Sequence, residues 1–151
     1  MCGFVGFTGS PEGPEDLLTS MMDLIAHRGP DSAGVYLGED IALGFRRLSI
    51  IGLADGSQPM FNEDGTIAIV FNGEIYNYQE LKDEMEKLGH VFSTHADTET
   101  LLHLYEEYGT GLLDRIRGMF AFAIYDSNTK RLFCARDFFG IKPLYYAQMN
   151  G

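Results

Sequence analysis

The second residue of the chain combines two reactive groups if its neighbour is removed. Loss of the initiator Met1 leaves Cys2 with a thiol and a free α-amine. An α-amine has a pKa of about 8 and a free thiol one of about 8.5, so the pair can act as base and nucleophile near neutral pH. An N-terminal amine is one known activator of a nucleophile. We expect Met1 to be removed because the next side chain is small. Cys2 alone would more often be incidental, so the rest of the chain decides.

A thiol that attacks an amide needs hydrogen-bond donors for the oxyanion that develops. Asn72 and Gly73 can supply these, through a side-chain amide and a backbone N–H that no side chain shields. They follow the apolar run 67–71, which is typical of a buried strand that ends at this corner. An ordinary turn is the alternative interpretation of Asn-Gly.

Several charged residues suit the two ends of an amino-acid substrate. Arg47, at the end of a predicted strand, can hold a carboxylate with two hydrogen bonds. Glu74 and Asp97 can hold an ammonium group, although Asp97 is equally suited to cap a helix. Arg28 can order the N-terminus or the oxyanion corner, or it can pair with Asp31 in the same loop.

The composition excludes several classes of partner. With 45% apolar residues, 22% charged residues and a net charge of −11, the 151-residue chain has the profile of a single soluble domain. Nucleic acid and membranes are not expected as partners, since the chain has no basic run and no apolar run of spanning length. Cys2 and Cys134 form no disulfide framework, and Cys134 is expected to be a buried thiol. The four histidines lack zinc spacing, so we predict no metal site and a reducing, cytoplasmic location.

Strands dominate the predicted structure, and the helices come in pairs. Stacked sheets with helices outside fit this pattern, so we predict an α+β fold, a four-layer α-β-β-α sandwich. The predicted strands are 3–8, 34–37, 41–48, 67–71, 91–93, 118–125, 132–135 and 144–147, and the predicted helices begin near Pro14, Glu80 and Asp97.

Six motifs carry a resemblance to a known family. In order they are Met-Cys-Gly-Phe-Val-Gly at the N-terminus, His27-Arg28-Gly29-Pro30-Asp31, Arg47-Leu48-Ser49-Ile50, Phe71-Asn72-Gly73-Glu74-Ile75-Tyr76-Asn77, Asp97-Thr98-Glu99 and Arg136-Asp137-Phe138-Phe139-Gly140-Ile141-Lys142-Pro143-Leu144-Tyr145-Tyr146. The set spans the chain and resembles the N-terminal glutaminase domain of glutamine-hydrolysing asparagine synthetases. These are class II glutamine amidotransferases with the N-terminal-nucleophile hydrolase fold.

The resemblance implies that this domain hydrolyses L-glutamine to glutamate and ammonia through a γ-glutamyl thioester. In the full-length enzyme the ammonia would convert aspartate to asparagine with ATP. The implied roles are nucleophile for Cys2, oxyanion hole for Asn72 and Gly73, carboxylate binding for Arg47 with the main chain of Ile50 and Ile51, ammonium binding for Glu74 and Asp97, and support from Arg28 and Gly29.

The resemblance also implies that residues 1–151 are a fragment. The family's domain continues past the last motif, and an ATP- and Mg²⁺-binding synthetase domain follows it. No cofactor is therefore expected in the present domain. A sheet edge exposed by truncation would be an aggregation hazard or a homodimer surface. Two other interpretations stay open at this point: an amidotransferase domain that serves another acceptor, and a catalytically silent interaction domain.

Overall fold

The computed structural model of the chain describes residues 2–48 and 56–149. Its strands are β1 (Gly3–Thr8), β2 (Ser32–Leu37), β3 (Ile41–Arg47), β4 (Met60–Phe61), β5 (Ile67–Ile75), β6 (Gly118–Asp126) and β7 (Arg131–Arg136). Its α-helices are α1 (Pro14–Leu24), α2 (Tyr78–Leu88) and α3 (Asp97–Tyr108), with 3₁₀ turns at Ala26–Arg28 and Gly109–Asp114. No described helix has the length and apolarity needed to cross a membrane.

The strands form two antiparallel sheets. The smaller sheet has the order β1-β3-β2 and the larger one the order β4-β5-β6-β7. In the larger sheet Ile67–Ile75 pairs along its whole length with Gly118–Asp126. This pairing makes β5 and β6 the centre of the sheet and leaves β4 and β7 as its described edges.

Alternation along β3 shows how the smaller sheet packs on both faces. Ile41, Leu43 and Phe45 belong to a buried cluster with side chains of β5 and β6, so this face meets the larger sheet. Ala42 faces the other way and packs with Leu18 of α1. Because side chains of a strand point alternately to opposite faces, one apolar strand fills two layers of core.

The larger sheet is covered on its outer face by α2 and α3. Odd-numbered residues of β5 share one cluster with the apolar faces of these two helices, whereas its even-numbered residues face the smaller sheet. The layers are therefore α1, the smaller sheet, the larger sheet, and α2 with α3. This is the four-layer α+β sandwich that the sequence predicts.

The helix ends follow local signals in the sequence. Helix α1 begins at Pro14 with Glu15 and Asp16 in its first turn, as predicted. Acidic residues there complement the positive end of the helix dipole. Helix α2 ends at Gly89, which has a φ of 104° that favours glycine.

Four expectations about local structure are wrong. The strand expected to end at Phe71 continues to Ile75, because β6 provides it with partners throughout. Residues 91–93 and 144–147 are not strands, since neither stretch pairs with a described strand. Cys134 is exposed rather than buried. It lies on β7, an edge of the larger sheet, whereas the cluster between the sheets draws on β3, β5 and β6.

Candidate active site

Cys2 lies directly before β1, at one end of the smaller sheet. Its side chain is half-buried and packs against the cluster between the two sheets. The Leu48 N–H, just beyond β3, points at the Cys2 sulfur with a separation of 3.5 Å. The thiol is therefore held at the mouth of the inter-sheet layer, and it receives one backbone donor.

Arg28 fixes the backbone of the same residue. Its Nε donates a hydrogen bond of 3.2 Å to the Cys2 carbonyl oxygen. A Cβ atom at position 3 would lie 3.1 Å from the Arg28 side chain, so Gly3 leaves room for this contact. The contact by which Arg28 was expected to order the N-terminus is therefore present.

Gly29 allows the Arg28 loop to lie against β3. A Cβ atom at position 29 would overlap the backbone of Arg46 and Arg47, which excludes every residue except glycine without a shift of the loop. The Asp31 N–H then donates to the Arg47 carbonyl oxygen at 3.0 Å. The segment that follows Arg28 is in this way held against the end of β3.

Asn72 lies on the face of β5 that meets the smaller sheet. It follows Ala68 and Val70 at the two-residue spacing of a strand, and these side chains pack in the same cluster as Cys2. Asn72 is only 7% exposed. Because β1 packs on β5, its amide and the Cys2 thiol lie in the same inter-sheet layer.

The N–H groups of β5 alternate between its two neighbours. The Tyr76 N–H donates to Arg117, directly after β6, so even-numbered residues turn their N–H groups toward that strand. Odd-numbered residues turn theirs to the opposite edge. There Phe71 donates to the Gln58 Oε1 at 2.6 Å, and Ile75 donates to the Asp97 Oδ2 at 3.0 Å. The Gly73 N–H points to the same edge, between these two bonds.

The backbone at position 73 also requires glycine. A Cβ atom there would overlap the Met119 carbonyl oxygen and lie 2.7 Å from the Phe120 Cα. Glycine at this position thus allows β6 to approach closely, and it leaves the N–H accessible. The structure brings a side-chain amide and a backbone donor of β5 to the end of the strand, as an oxyanion hole needs.

Asp97 is the first residue of α3, and its carboxylate crosses to β5. It accepts the Ile75 N–H rather than capping its own helix, whose N-cap is Ala96 without a side-chain bond. Burial raises the pKa of Asp97 above 3.8, and the nearby charge of Glu74 adds to this effect, whereas the N–H of Ile75 opposes it. The carboxylate is poorly solvated, so a cation beside it would be bound favourably.

Arg47, at the end of β3, extends toward the start of α3. A Cβ atom built on Gly56 would lie 3.8 Å from the Arg47 Nη2 and 4.0 Å from the Ala96 Cβ. The guanidinium and the residue before Asp97 thus approach the same point. A cationic and an anionic side chain are thus both present at this end of the sandwich. Ile50 and Ile51 lie outside the described residues.

Gln58 is a positioning residue that the sequence did not suggest. Its Oε1 accepts the Phe71 N–H, and its Nε2 lies 3.5 Å from the Thr98 hydroxyl on α3. A Cβ atom at Gly34 would overlap the Gln58 carbonyl oxygen, so the same residue also touches β2. No sequence pattern predicts that a glutamine before a proline, in a polar loop, contacts three elements of the fold.

Comparison with known families identifies the chain. It matches the glutamine amidotransferase domain family over residues 1–151. The chain therefore belongs to this family, as its motifs indicated.

Among curated proteins it is 50% identical to asparagine synthetase [glutamine-hydrolyzing] 1 of Bacillus subtilis, over 99% of this chain and 24% of that protein. It is 42% identical to a probable asparagine synthetase of Dictyostelium discoideum, over 96% of this chain and 27% of that protein. The chain thus spans about a quarter of the length of these relatives.

Two solved structures share the fold. One is the glutamine phosphoribosylpyrophosphate amidotransferase of B. subtilis, with a TM-score of 0.69 and 21% identity over 84% of this chain and 35% of that chain. The other, described as the allosteric regulatory enzyme of purine biosynthesis, has a TM-score of 0.72 and 22% identity over 91% of this chain and 37% of that chain. The likeness to these two structures confirms the expected sandwich fold.

Proposed function

We propose that this domain hydrolyses L-glutamine to glutamate and ammonia with Cys2 as the nucleophile. The observation that carries the proposal is the shared layer between the sheets. A thiol held by Leu48 and Arg28 lies there with the Asn72 amide, at the end of the molecule where Gly73, Arg47 and Asp97 also lie. A nucleophile, oxyanion donors and groups for both ends of an amino acid are the parts that such a hydrolysis requires.

The first step forms a thioester. After Met1 is removed, the α-amine of Cys2 takes the thiol proton, directly or through a water, and the thiolate attacks the side-chain amide carbon of glutamine. Asn72 and Gly73 donate to the oxygen that becomes negative. The C–N bond then breaks, and the nitrogen leaves as ammonia with the proton that the amine returns. Water hydrolyses the γ-glutamyl thioester, which releases glutamate and regenerates the thiol.

The charged groups select an amino acid rather than a simple amide. Arg47 binds the α-carboxylate, with the main chain of Ile50 and Ile51, and Asp97 binds the α-ammonium with Glu74. An ammonium group beside Asp97 replaces the solvation that burial has removed, which favours the ionised carboxylate. Both ends of the substrate are thereby held, and its side chain extends toward Cys2.

We infer that the chain is the N-terminal domain of a longer cytoplasmic protein that uses the ammonia to convert aspartate to asparagine. This proposal is supported by identities of 50% and 46% to two proteins called asparagine synthetase in B. subtilis. ATP and Mg²⁺ would belong to the synthetase part of that protein. Use of another acceptor is the second candidate, because the solved structures with this fold include an amidotransferase of a different name.

Two measurements test the hydrolysis. Intact mass determines whether Met1 is removed, and glutamate release from glutamine is measured before and after alkylation. Glutaminase activity that disappears as Cys2 is alkylated would support the proposal. The matched control is a Cys134→Ser variant, which should keep its activity and its sensitivity to the alkylator, because Cys134 is exposed on the edge strand β7, which β6 separates from β5. A processed protein that releases no glutamate would contradict the proposal.

A further inference from the structure

A group of histidines and glutamates lies on the outer layer of the molecule, on the opposite face of β5 from the Cys2 site. His103 and Glu106 belong to α3, His90 follows the end of α2, and Glu63 lies in the turn between β4 and β5. We call these four residues the His90–His103 cluster. Three separate elements contribute to it, so its members are far apart in the sequence.

The nitrogen and oxygen atoms of the cluster are close enough to share one ion. His103 Nδ1 is 2.9 Å from the Glu106 Oε2 and 3.9 Å from the Glu63 Oε1, and His90 Nδ1 is 3.5 Å from the same Glu106 oxygen. One atom each from Glu63, His90 and His103 lie within 4.8 Å of one another. Tetrahedral zinc with ligands at about 2.1 Å places neighbouring ligands about 3.4 Å apart, so shifts on the order of 1 Å complete the site.

His103 is the buried member of the cluster, and one of its nitrogens has no hydrogen-bond partner. Its side chain is 2% exposed, and its Nε2 is unbonded. The Glu99 Oε1, which lies 3.9 Å from this nitrogen, already receives the N–H and the hydroxyl of Ser93. A buried polar atom without a partner is costly, so the protonation and orientation of this ring call for an explanation.

Each histidine ring also has a carboxylate on the side away from the cluster. The His90 Nε2 is 2.9 Å from the Glu107 Oε1, and the His103 Nε2 faces Glu99. Histidines that bind a metal usually donate their second N–H to such a carboxylate, which fixes the tautomer. With a metal on both Nδ1 atoms, the Nε2–H groups would be directed at Glu107 and Glu99. The Nε2–H of His103 would then face the Glu99 Oε1, which lies 3.9 Å away.

A cavity of about 230 Å³ gives access to the cluster. Glu63 and His103 line it, together with Asn62 and Glu99. The Asn62 amide donates to the Glu106 Oε1 at 2.9 Å, which orients that carboxylate and leaves its Oε2 toward the two imidazoles. The cavity therefore supplies both a path for a hydrated ion and space for a water ligand.

We propose that the His90–His103 cluster binds one divalent transition-metal ion of the zinc class, in a structural site. Two imidazoles and one or two carboxylates form a nitrogen–oxygen ligand set that suits Zn²⁺, and no redox chemistry is required. The ion ties α2, α3 and the β4–β5 turn together. This differs from the sequence-based prediction of no metal site. Spacing rules detect ligands that are close along the chain, and these ligands meet only in the folded protein.

The test is zinc binding by the full chain, measured by calorimetry and by thermal unfolding with and without Zn²⁺. We expect one ion per chain and a rise in Tm, because a ligand that binds only the folded state stabilises it. His90→Asn and Glu106→Gln should each weaken binding by at least about tenfold, with a smaller loss for Glu107→Gln, which affects only the outer carboxylate. His27→Asn changes an exposed histidine outside the cluster and should bind zinc like the unmodified chain.

Cobalt substitution separates this site from the free thiols. Co²⁺ bound at the cluster should give visible absorption bands without a charge-transfer band from thiolate, and His90→Asn should remove them. Binding that survives both His90→Asn and Glu106→Gln, or a cobalt spectrum with a thiolate band, would assign the ion to a cysteine and overturn the proposal. A chain that binds no zinc at millimolar concentration would also overturn it. Glu106→Gln provides a second variant if His90→Asn does not fold.

Discussion

Two carboxylates near the ends of the larger sheet, the partly buried Asp97 and the buried Asp137, have opposite environments. Asp137, after β7, accepts the N–H groups of Phe120, Ile141 and Lys142 at 2.9 to 3.2 Å. Burial raises the pKa of Asp137, but these N–H groups outweigh it, so the net pKa is lowered. Burial also raises the pKa of Asp97. The N–H groups around that carboxylate do not outweigh burial, so its net pKa is raised.

The difference separates a carboxylate that serves the fold from one that is suited to a ligand. The backbone satisfies Asp137, so it fixes the chain after β7 and has little capacity for another partner. Asp97 has a poorly compensated charge at the end of the molecule where the proposed substrate binds. Residue type and position near a strand end do not distinguish the two residues, whereas the balance of burial and N–H donors around each carboxylate does.

The largest expected effect is at the end of β5 that carries the proposed oxyanion donors. Asn72→Ala removes one proposed oxyanion donor, and kcat for glutamine hydrolysis should fall about 10²- to 10³-fold, with little change in KM. Steady-state glutamate release measures both constants. The matched control is Asn77→Ala, whose amide binds the Arg115 carbonyl instead. That variant should lose stability and keep its kcat. Equal kcat values for Asn72→Ala and the unmodified chain would remove Asn72 from the mechanism.

A second prediction concerns stability at the other carboxylate. Asp137→Ala leaves buried N–H groups without an acceptor, which should lower the free energy of unfolding by about 3 kcal/mol. Urea unfolding measures this loss. Asp83→Ala, at an exposed position of α2, should be nearly neutral. A stable Asp137→Ala protein would show that the loop after β7 does not depend on this carboxylate.

Asp97→Asn should affect binding rather than folding. Loss of the charge that is proposed to bind the substrate ammonium should raise KM for glutamine about 10- to 100-fold, since hydrogen bonds to charged groups contribute about 1.5 to 3 kcal/mol. The free energy of unfolding should be unchanged or higher, because the charged form is disfavoured by burial. A variant that loses stability with an unchanged KM would instead assign Asp97 to the fold and end the contrast with Asp137.

The smallest expected effect is the pH dependence of stability, which should have opposite signs for the two residues. The raised pKa of Asp97 means that its protonated form is favoured in the native state. Its contribution therefore falls as pH rises from the unfolded value of about 3.9 through the folded pKa. The lowered pKa of Asp137 gives a contribution that is present above about pH 3.9 and is lost as pH falls through the folded value.

Urea unfolding between about pH 3 and pH 7 checks both signs, with Asp97→Asn and Asp137→Asn as references. Relative to Asp97→Asn, the unmodified chain should become less stable as pH rises. Relative to Asp137→Asn, it should become more stable. KM for glutamine should also increase as pH falls through the pKa of Asp97, because the ammonium group binds the ionised form. Parallel slopes for the two pairs would contradict the assigned environments.

Local patterns in the sequence were sufficient to predict the layers and most strands. The alternation along β3 and the apolar run of β5 reflect burial on two faces, and β1 has the predicted bounds. The motifs also identified the family. The structure brings Cys2, Asn72 and Arg28 to one end of the sandwich, and their catalytic roles remain predictions for the experiments above.

The sequence patterns did not predict contacts between segments that are distant along the chain. The hydrogen bond from Ile75 to Asp97 joins a strand to a helix, so a capping signal could not reveal it. Gln58 acts through three elements, and the His90–His103 cluster forms only where three segments meet. The exposure of Cys134 depends on which strand forms the edge of the sheet, and composition does not determine this.

Strand β4 is only two residues long, and this limits which sequence changes near the strand are compatible with activity. Its two residues pair with Ala68 and Ile69, and the chain then leaves the edge of β5. A longer β4 would continue in register until Gly56 lay opposite Gly73, and it would occupy the N–H proposed to bind the oxyanion. Such an extension would add a backbone hydrogen bond to the sheet and should abolish the proposed hydrolysis of glutamine. Selection for activity thus opposes selection for a longer sheet, and stabilising substitutions within residues 56–59 that favour strand pairing should lower the activity.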